Sequence, residues 1–392
     1  MFLPNEYEFS CFVKINSGTR ALEHLPHELD ALNARKPLIV AGKDVSKEGH
    51  VRKLMSAFRD SGMTIGVCDD ISGPFDAPLI EAITNLYRNK DHDSIVAVGS
   101  GSIVDVAKVL NVSVSYGGRT LRELAGKNGI PNPLDPFIFV PTAGGDGYET
   151  SRYAEIEDMK FSSDFLMPDL VVIDPRMVTS RDTRIIVATA MTALAHAVEA
   201  YTSPAKNHIT DIYAHAAIKY VAEYLIPVVR HPADRDGSCA LANAACMAGC
   251  VVSDMTMGMA HILGETIGAM FGITPGICMG IVLPYTVAHR ALHFGARTAD
   301  LILPLAGFDD CAKISPSLSD AVAVTMMIDL QHELNGQTHG GIPRTLEEAD
   351  VPPYMLQDIA ERCITDDLPG YTYSDYLTVV KQAWEGSPAM NG

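Results

Sequence analysis

Residues 188–203, ATAMTALAHAVEAYTS, hold an ionisable side chain inside an apolar helical pattern. Met191, Leu194, Ala195, Val198 and Tyr201 recur at helix spacing, which predicts a buried helix. Thr192 and His196 are four residues apart and share one face. A histidine in that position can ligate a metal or pass a proton near neutral pH. Two glycine loops offer a complementary chemistry. In VGSGSIVDVAK, residues 98–108, the small residues Gly99, Ser100, Gly101 and Ser102 link a strand pattern to a helix carrying Asp105. Small residues let the backbone approach a pyrophosphate, and the helix start presents N–H groups to its charge. PTAGGDGYE, residues 141–149 with Thr142, follows the next strand pattern. Two such loops predict a dinucleotide lying across both. Neither has the G-x-x-x-x-G-K-[ST] form, which argues against a P-loop nucleotidase.

The elements needed to position these residues are legible as periodicity. Short apolar runs at 37–41, 94–98 and 136–140 have the form of buried parallel strands. Looser strands read at 7–16 and 64–68, with helical patterns at 21–33, 51–61, 78–89 and 103–111. This alternation predicts an α/β domain with an open parallel sheet, which binds ligands beyond the carboxyl ends of its strands. The run 37–41 ends at Gly42 and Lys43. Dinucleotide folds often place an acidic residue there, on the ribose hydroxyls. Glycine followed by lysine tolerates a 2′-phosphate and favours NADP over NAD. Residues 153–173 read as a β-ribbon. From 182 onward the patterns are helical, over 186–203, 209–229, 240–252, 260–270, 279–293, 301–305, 318–334, 346–349, 353–363 and 374–384. The expected organisation is therefore an α/β dinucleotide-binding domain over 1–180 and an all-α domain over 181–392.

Composition narrows the class. With 47% hydrophobic and 20% charged residues, packed cores are expected and disorder is not. A net charge of −18 disfavours nucleic acid and anionic membrane as partners, since both require a basic face. The most apolar stretch, 258–284, is broken by Gly, Pro, His and Glu, so no membrane span is expected. The opening MFLPNEYEFS lacks the pattern of a secretory leader. Eight cysteines without a C-x-x-C pair read as reduced thiols. The expectation is an acidic cytoplasmic enzyme.

Five segments, in order, resemble the iron-containing (group III) alcohol dehydrogenase family. They are GSGSIVDVAK at 99–108, PTAGGDGYE at 141–149, Lys160 ahead of LMPDLVVIDP, MTALAHAVEAYTS at 191–203, and HILGETIGAMFGITPG at 261–276. The resemblance implies a dehydroquinate-synthase-like fold with an α/β N-terminal and an all-helical C-terminal domain. It implies an active site in the cleft and hydride transfer between the nicotinamide of NAD(P) and a small alcohol or aldehyde. It also implies a homodimer or higher homo-oligomer, and adds Ser151 and Lys160 to the cofactor contacts.

The departures from the family bear on mechanism. Its metal site uses one aspartate and three histidines. Carried over by position, these fall on Thr192, His196, His261 and Pro275, so only His196 and His261 keep a ligand. A further family histidine near the nicotinamide falls on Glu265. A shifted register would give that role to His261 and place a ligand position on Met257. Two accounts follow. In the first the metal is lost, as in the similar maleylacetate reductases, and His196 and His261 polarise the carbonyl and deliver the proton. In the second the site is rebuilt from His196, His261 and Glu265, a two-His, one-carboxylate set. Loss is favoured because two ligands have changed together, which leaves bound Fe or Zn in doubt. The catalytic candidates are then His196, His261 and Glu265. Alternative readings are a dehydroquinate-synthase-like lyase or cyclase that uses NAD transiently, and a non-catalytic dinucleotide-binding descendant. Of the remaining residues, His208 and His215 read as an exposed face, and Met255, Met257 and Met259 as packing. Arg152 is a candidate to hold an anionic substrate.

Overall fold

The computed structural model describes residues 6–388, apart from 74, 128, 254, 256, 295–297, 316–317, 366–367 and 369. It divides into two compact units, Cys11–Ser180 and Arg181–Gly392, the second also holding residues 6–10. Sequence pattern assigns residues 6–10 to the α/β unit. The structure moves them, because their aromatic rings find partners on the helical unit. Tyr7 lies 5.8 Å from the His208 ring, and Phe9 stacks on Tyr213 at 5.8 Å.

In the Cys11–Ser180 unit, six strands form one parallel sheet. They are β1 (Lys14–Ser17), β2 (Pro37–Gly42), β3 (Gly66–Ile71), β4 (Ser94–Gly99), β6 (Phe137–Pro141) and β9 (Leu170–Ile173). Their order is β1-β9-β6-β4-β2-β3. A small sheet holds β5 (Gly126–Lys127), β8 (Met159–Ser162) and β7 (Tyr153–Ile156), with β7 and β8 antiparallel. The inner strands β4, β6 and β9 are buried at every residue. That is the mark of a sheet covered on both faces and the reason these segments read as unbroken apolar runs. On one face Leu25, Leu29 and Leu54 pack against Ile39, Val96, Ile138 and Val172.

Strand order sets where a ligand belongs. The chain runs outward from β2 to β3, then returns to the other side of β2 as β4. The switch point therefore lies between β2 and β4, where open α/β sheets bind their ligands. Ala41 of β2 pairs with Val98 of β4, and Gly99 of β4 with Pro141 of β6. The three strand ends that lead into Lys43, Ser100 and Thr142 therefore stand side by side.

The helical unit is built around the helix Thr183–Tyr201, which is buried at every residue from Ile186 to Tyr201. Helices His208–Arg230, Arg235–Ser253 and Pro275–Phe294 pack on it. Six alanines between Ala188 and Ala200 keep it thin enough for such close neighbours. The helix Met259–Phe271 stops at Gly272, which is left-handed at φ 67°, and the chain turns back into Pro275–Phe294. Among the described residues, no helix is long and apolar enough to cross a membrane.

Among the described glycines, Gly276 marks a very close helix contact. A Cβ there would lie 2.1 Å from the Ala188 carbonyl oxygen and 2.5 Å from Thr192 Oγ1. Backbone cannot retreat as a flexible side chain can. G276A is expected to cost about 2 kcal/mol or more of stability in urea unfolding, as overpacking does. G336A, in the helix Ser319–Gln337 with nothing within 4 Å of its Cβ, should instead gain about 0.5–1 kcal/mol from helix propensity.

Candidate active site

The two glycine loops leave from one rung of the sheet. Gly99 pairs with Pro141, and Thr142 N–H donates to the Gly99 carbonyl at 3.0 Å. In the first loop Gly101 is left-handed at φ 59°. The helix that follows, Ile103–Ser115, has no side chain capping its start. Uncapped N–H groups at a switch point suit a phosphate. Asp105 in its first turn accepts from the Glu155 N–H at 3.2 Å and so ties the helix to β7. Across the β7–β8 rung, Lys160 pairs with Glu155 at 3.7 Å and stays 76% exposed.

The second loop is held from beneath by Lys108. This lysine is fully buried, and its Nζ donates to the carbonyls of Tyr148, Ser151 and Tyr153 at 2.6, 2.6 and 2.9 Å. Ser151, expected to touch the cofactor, is itself fully buried, with its Oγ 3.3 Å from the same Nζ. It is part of the support under the loop. Burial lowers the Lys108 pKa to about 8. Two carboxyl groups sit close by. Glu149 accepts from Gly147 N–H at 2.8 Å, and Asp146 accepts from Tyr148 N–H at 3.1 Å. Burial and the neighbouring Asp146 push Glu149 up to about 8, and burial also raises Asp146.

At the end of β2, Lys43 pairs with Asp70 at 2.7 Å, and Ser46 donates to Asp69. Both aspartates come from β3. The sheet order, which sequence pattern does not reveal, brings them to a position where the sequence shows only Gly42 and Lys43.

In the helical unit His196, 3% exposed, meets His261. Its Nε2 lies 3.0 Å from His261 Nδ1, and the rings are 5.2 Å apart between centroids. One proton must sit between those nitrogens for the contact to be a hydrogen bond. Glu199 follows His196 by three residues, and its carboxylate accepts from Ala260 N–H at 2.6 Å, beside His261. Burial pushes Glu199 up to about 7, against the pull of the N–H donors and Arg290.

A family model described as "Iron-containing alcohol dehydrogenase" matches residues 13–175, and one for the C-terminal part of the same family matches 186–378. The chain belongs to the iron-containing alcohol dehydrogenase family. It is 27% identical to a choline dehydrogenase of Bacillus subtilis over 360 residues, 90% of this chain and 87% of that one. It is 27% identical to an NADPH-dependent butanol dehydrogenase of Clostridium saccharobutylicum over 374 residues, 90% of each chain. The fold is that of an alcohol dehydrogenase from Oenococcus oeni, with a TM-score of 0.88 at 24% identity, covering 97% of this chain and 100% of that one. The protein is accordingly an NAD(P)-dependent oxidoreductase of the alcohol dehydrogenase type. The lyase and non-catalytic readings gain no support from these relatives.

The family's metal can be tested against this donor set. Thr192 donates its hydroxyl to the Ala188 carbonyl at 3.0 Å, within its own helix. Pro275 has no ligand atom, and Gly276 beside it is packed onto Ala188 and Thr192. Among the described residues, no three His, Cys, Asp or Glu side chains converge. Of the four ligand positions that the family resemblance implies, only His196 and His261 carry a usual donor, where a catalytic divalent ion takes about three protein ligands. The expected rebuilt set of His196, His261 and Glu265 is not assembled either. Glu265 sits one turn further along its helix, beside Cys278, whose thiol is pushed up to about 12 by burial first and Glu265 second.

Other expectations resolve similarly. Arg152 pairs with Asp164 at 3.3 Å, so its guanidinium already faces a carboxylate. His208 is exposed, whereas His215 is half-buried against Tyr201, with ring centroids 5.9 Å apart. Met255 and Met259 are buried in the core, while Met257 is half-buried. Sequence spacing passes over Lys108, Asp146, Glu149 and Glu199. The signal for Lys108 and Glu199 was a charged residue inside an otherwise apolar helix, since such groups are buried only when paired.

Glu149 gives this site a pH signature. Its folded pKa lies above the ordinary 4.5, so between 4.5 and about 8 the folded chain keeps a proton that the unfolded chain has released. Stability should fall as pH rises through that window. E149Q copies the protonated form. It should match the wild type near pH 4 and exceed it by about 1 kcal/mol or more near pH 9, read by urea unfolding at both values.

Proposed function

We propose that the protein moves a hydride between a nicotinamide and the carbon of a small aldehyde or alcohol, with His196 and His261 acting on the oxygen in place of a metal ion. The observation that carries this reading is the 3.0 Å contact between the two imidazoles, beside ligand positions occupied by Thr192 and Pro275. A bound nicotinamide supplies or accepts the hydride. The uncapped start of Ile103–Ser115 and the two glycine loops hold its diphosphate. In the reducing direction the carbonyl oxygen gains an electron pair and needs one proton. A ring N–H polarises that oxygen and hands over the proton, and the partner ring shares the charge that changes on the donor. An imidazole has both a donor and an acceptor nitrogen, so the pair can pass a proton along and take one up.

H196A and H261A should each lower kcat by about 10²–10⁴-fold, the usual worth of a general acid, and leave dinucleotide affinity unchanged. Purified protein should hold well under one Fe or Zn per chain, and turnover should survive dialysis against a chelator. Stoichiometric metal, or activity lost to the chelator and regained with metal, would sink the metal-free reading.

The same proposal extends to coenzyme choice. Lys43 offers a cation to a 2′-phosphate and Asp70 competes for it at 2.7 Å. NADP is the favoured coenzyme on this reading, with Asp70 as a restraint. Titration of tryptophan or nicotinamide fluorescence should show D70N raising the NADPH-to-NADH affinity ratio, and K43A lowering it, by about threefold at low salt and less at high salt. Equal effects on both coenzymes would remove Lys43 from that role.

A further inference from the structure

We propose that Glu199 is the positioning residue that fixes His261 against His196. The functional consequence rests on the reading of those two histidines given above; the geometric claim does not.

The helix Met259–Phe271 begins inside the protein, with Met259 1% and Ala260 0% exposed. Its first N–H groups have no partner in their own helix, and a buried helix start needs an acceptor from elsewhere. The N-cap residue is Gly258, which has no side chain to serve. Glu199 fills that place from another helix. Its Oε1 accepts from Ala260 N–H at 2.6 Å, and the nearby N–H groups of Gly258 and His261 also favour the charged carboxylate. A negative group at a helix start also meets the positive end of the helix dipole.

Gly258 is what lets the carboxylate in. Its φ of −89° suits any residue, but a Cβ there would lie 2.2 Å from the Glu199 carboxylate carbon. On the far side, Arg290 donates to the Glu199 and Thr202 carbonyls at 3.3 and 2.8 Å and fixes the end of the helix Thr183–Tyr201. Glu199 leaves that helix three residues after His196, one turn along nearly the same face. One side chain thus joins the helix bearing His196 to the first turn of the helix bearing His261. The imidazole contact inherits its spacing from this tie.

The test uses the full-length protein and four variants: E199A, E199Q, G258A, and E199A combined with G258A. Loss of the tie should lower kcat by about ten- to a hundredfold in E199A and G258A, with the KM for the dinucleotide within twofold of the wild type. E199Q keeps one acceptor oxygen and should recover most of the loss. The double variant should be no worse than E199A alone, because the alanine at 258 then meets no carboxylate. Nitrogen NMR of the histidine rings supplies a readout independent of turnover: the His196 and His261 signals, assigned by H196A and H261A, should move in E199A and G258A and return towards wild type in E199Q. Unchanged ring signals and kcat in E199A and G258A would overturn the proposal. So would E199A and G258A effects that simply add in the double variant. If the ring signals move while H196A and H261A keep full activity, the positioning claim stands and the catalytic reading of the histidines falls.

Discussion

A helix buried on every side must find a partner within the protein for each polar atom it carries. Thr183–Tyr201 is such a helix, and much of the helical unit follows from that constraint. Thr192 answers it locally, by bonding back to the Ala188 carbonyl. His196 answers it with His261, and Glu199 with the start of the next helix. Each solution brings a second helix close, and the small residues Gly258 and Gly276 mark where the approach is tightest. Chemistry and packing are not separable here, because the side chains suited to proton transfer are also those that join the helices.

The α/β unit meets the opposite problem. Its strand ends must stay open to a ligand while the loops around them stay fixed. Lys108 supplies the rigidity from below, replacing the missing water with three backbone carbonyls. Asp146 and Glu149 lie against the same loop, and burial raises the pKa of both. A protonated carboxyl there adds no charge near the diphosphate of a dinucleotide. Below about pH 8 Glu149 therefore adds little charge to this loop.

The sequence foretold some features of this arrangement better than others. Buried strands were legible because parallel sheets covered on both faces demand continuous apolar runs, as at β4 and β6. The glycine loops were legible as turns because small residues cluster where the chain bends sharply out of a strand, as at Gly101 with φ 59°. Asp69 and Asp70 beside Lys43 were not, since they arrive through strand order rather than proximity along the chain. The charge of Glu265 also reaches Cys278, a neighbour on the following helix that spacing along one helix does not reveal. The stretch 346–349 has a helical pattern but forms turns: Asp350 is left-handed at φ 60°, and Pro352 and Pro353 follow. Residues just before proline are driven out of the helical region. Glu199 and Lys108 were visible as charges in apolar helices, but their partners are backbone groups, which have no sequence signature.

The rung that joins Gly99 to Pro141 has an evolutionary consequence. Because Thr142 bonds back to the Gly99 carbonyl, the two glycine loops are a single mechanical cassette. A change in the length or tilt of one is transmitted to the other through the shared rung. Recombination between relatives would therefore preserve this paired-loop arrangement only when both loops, with the lysine beneath them, are inherited from the same parent.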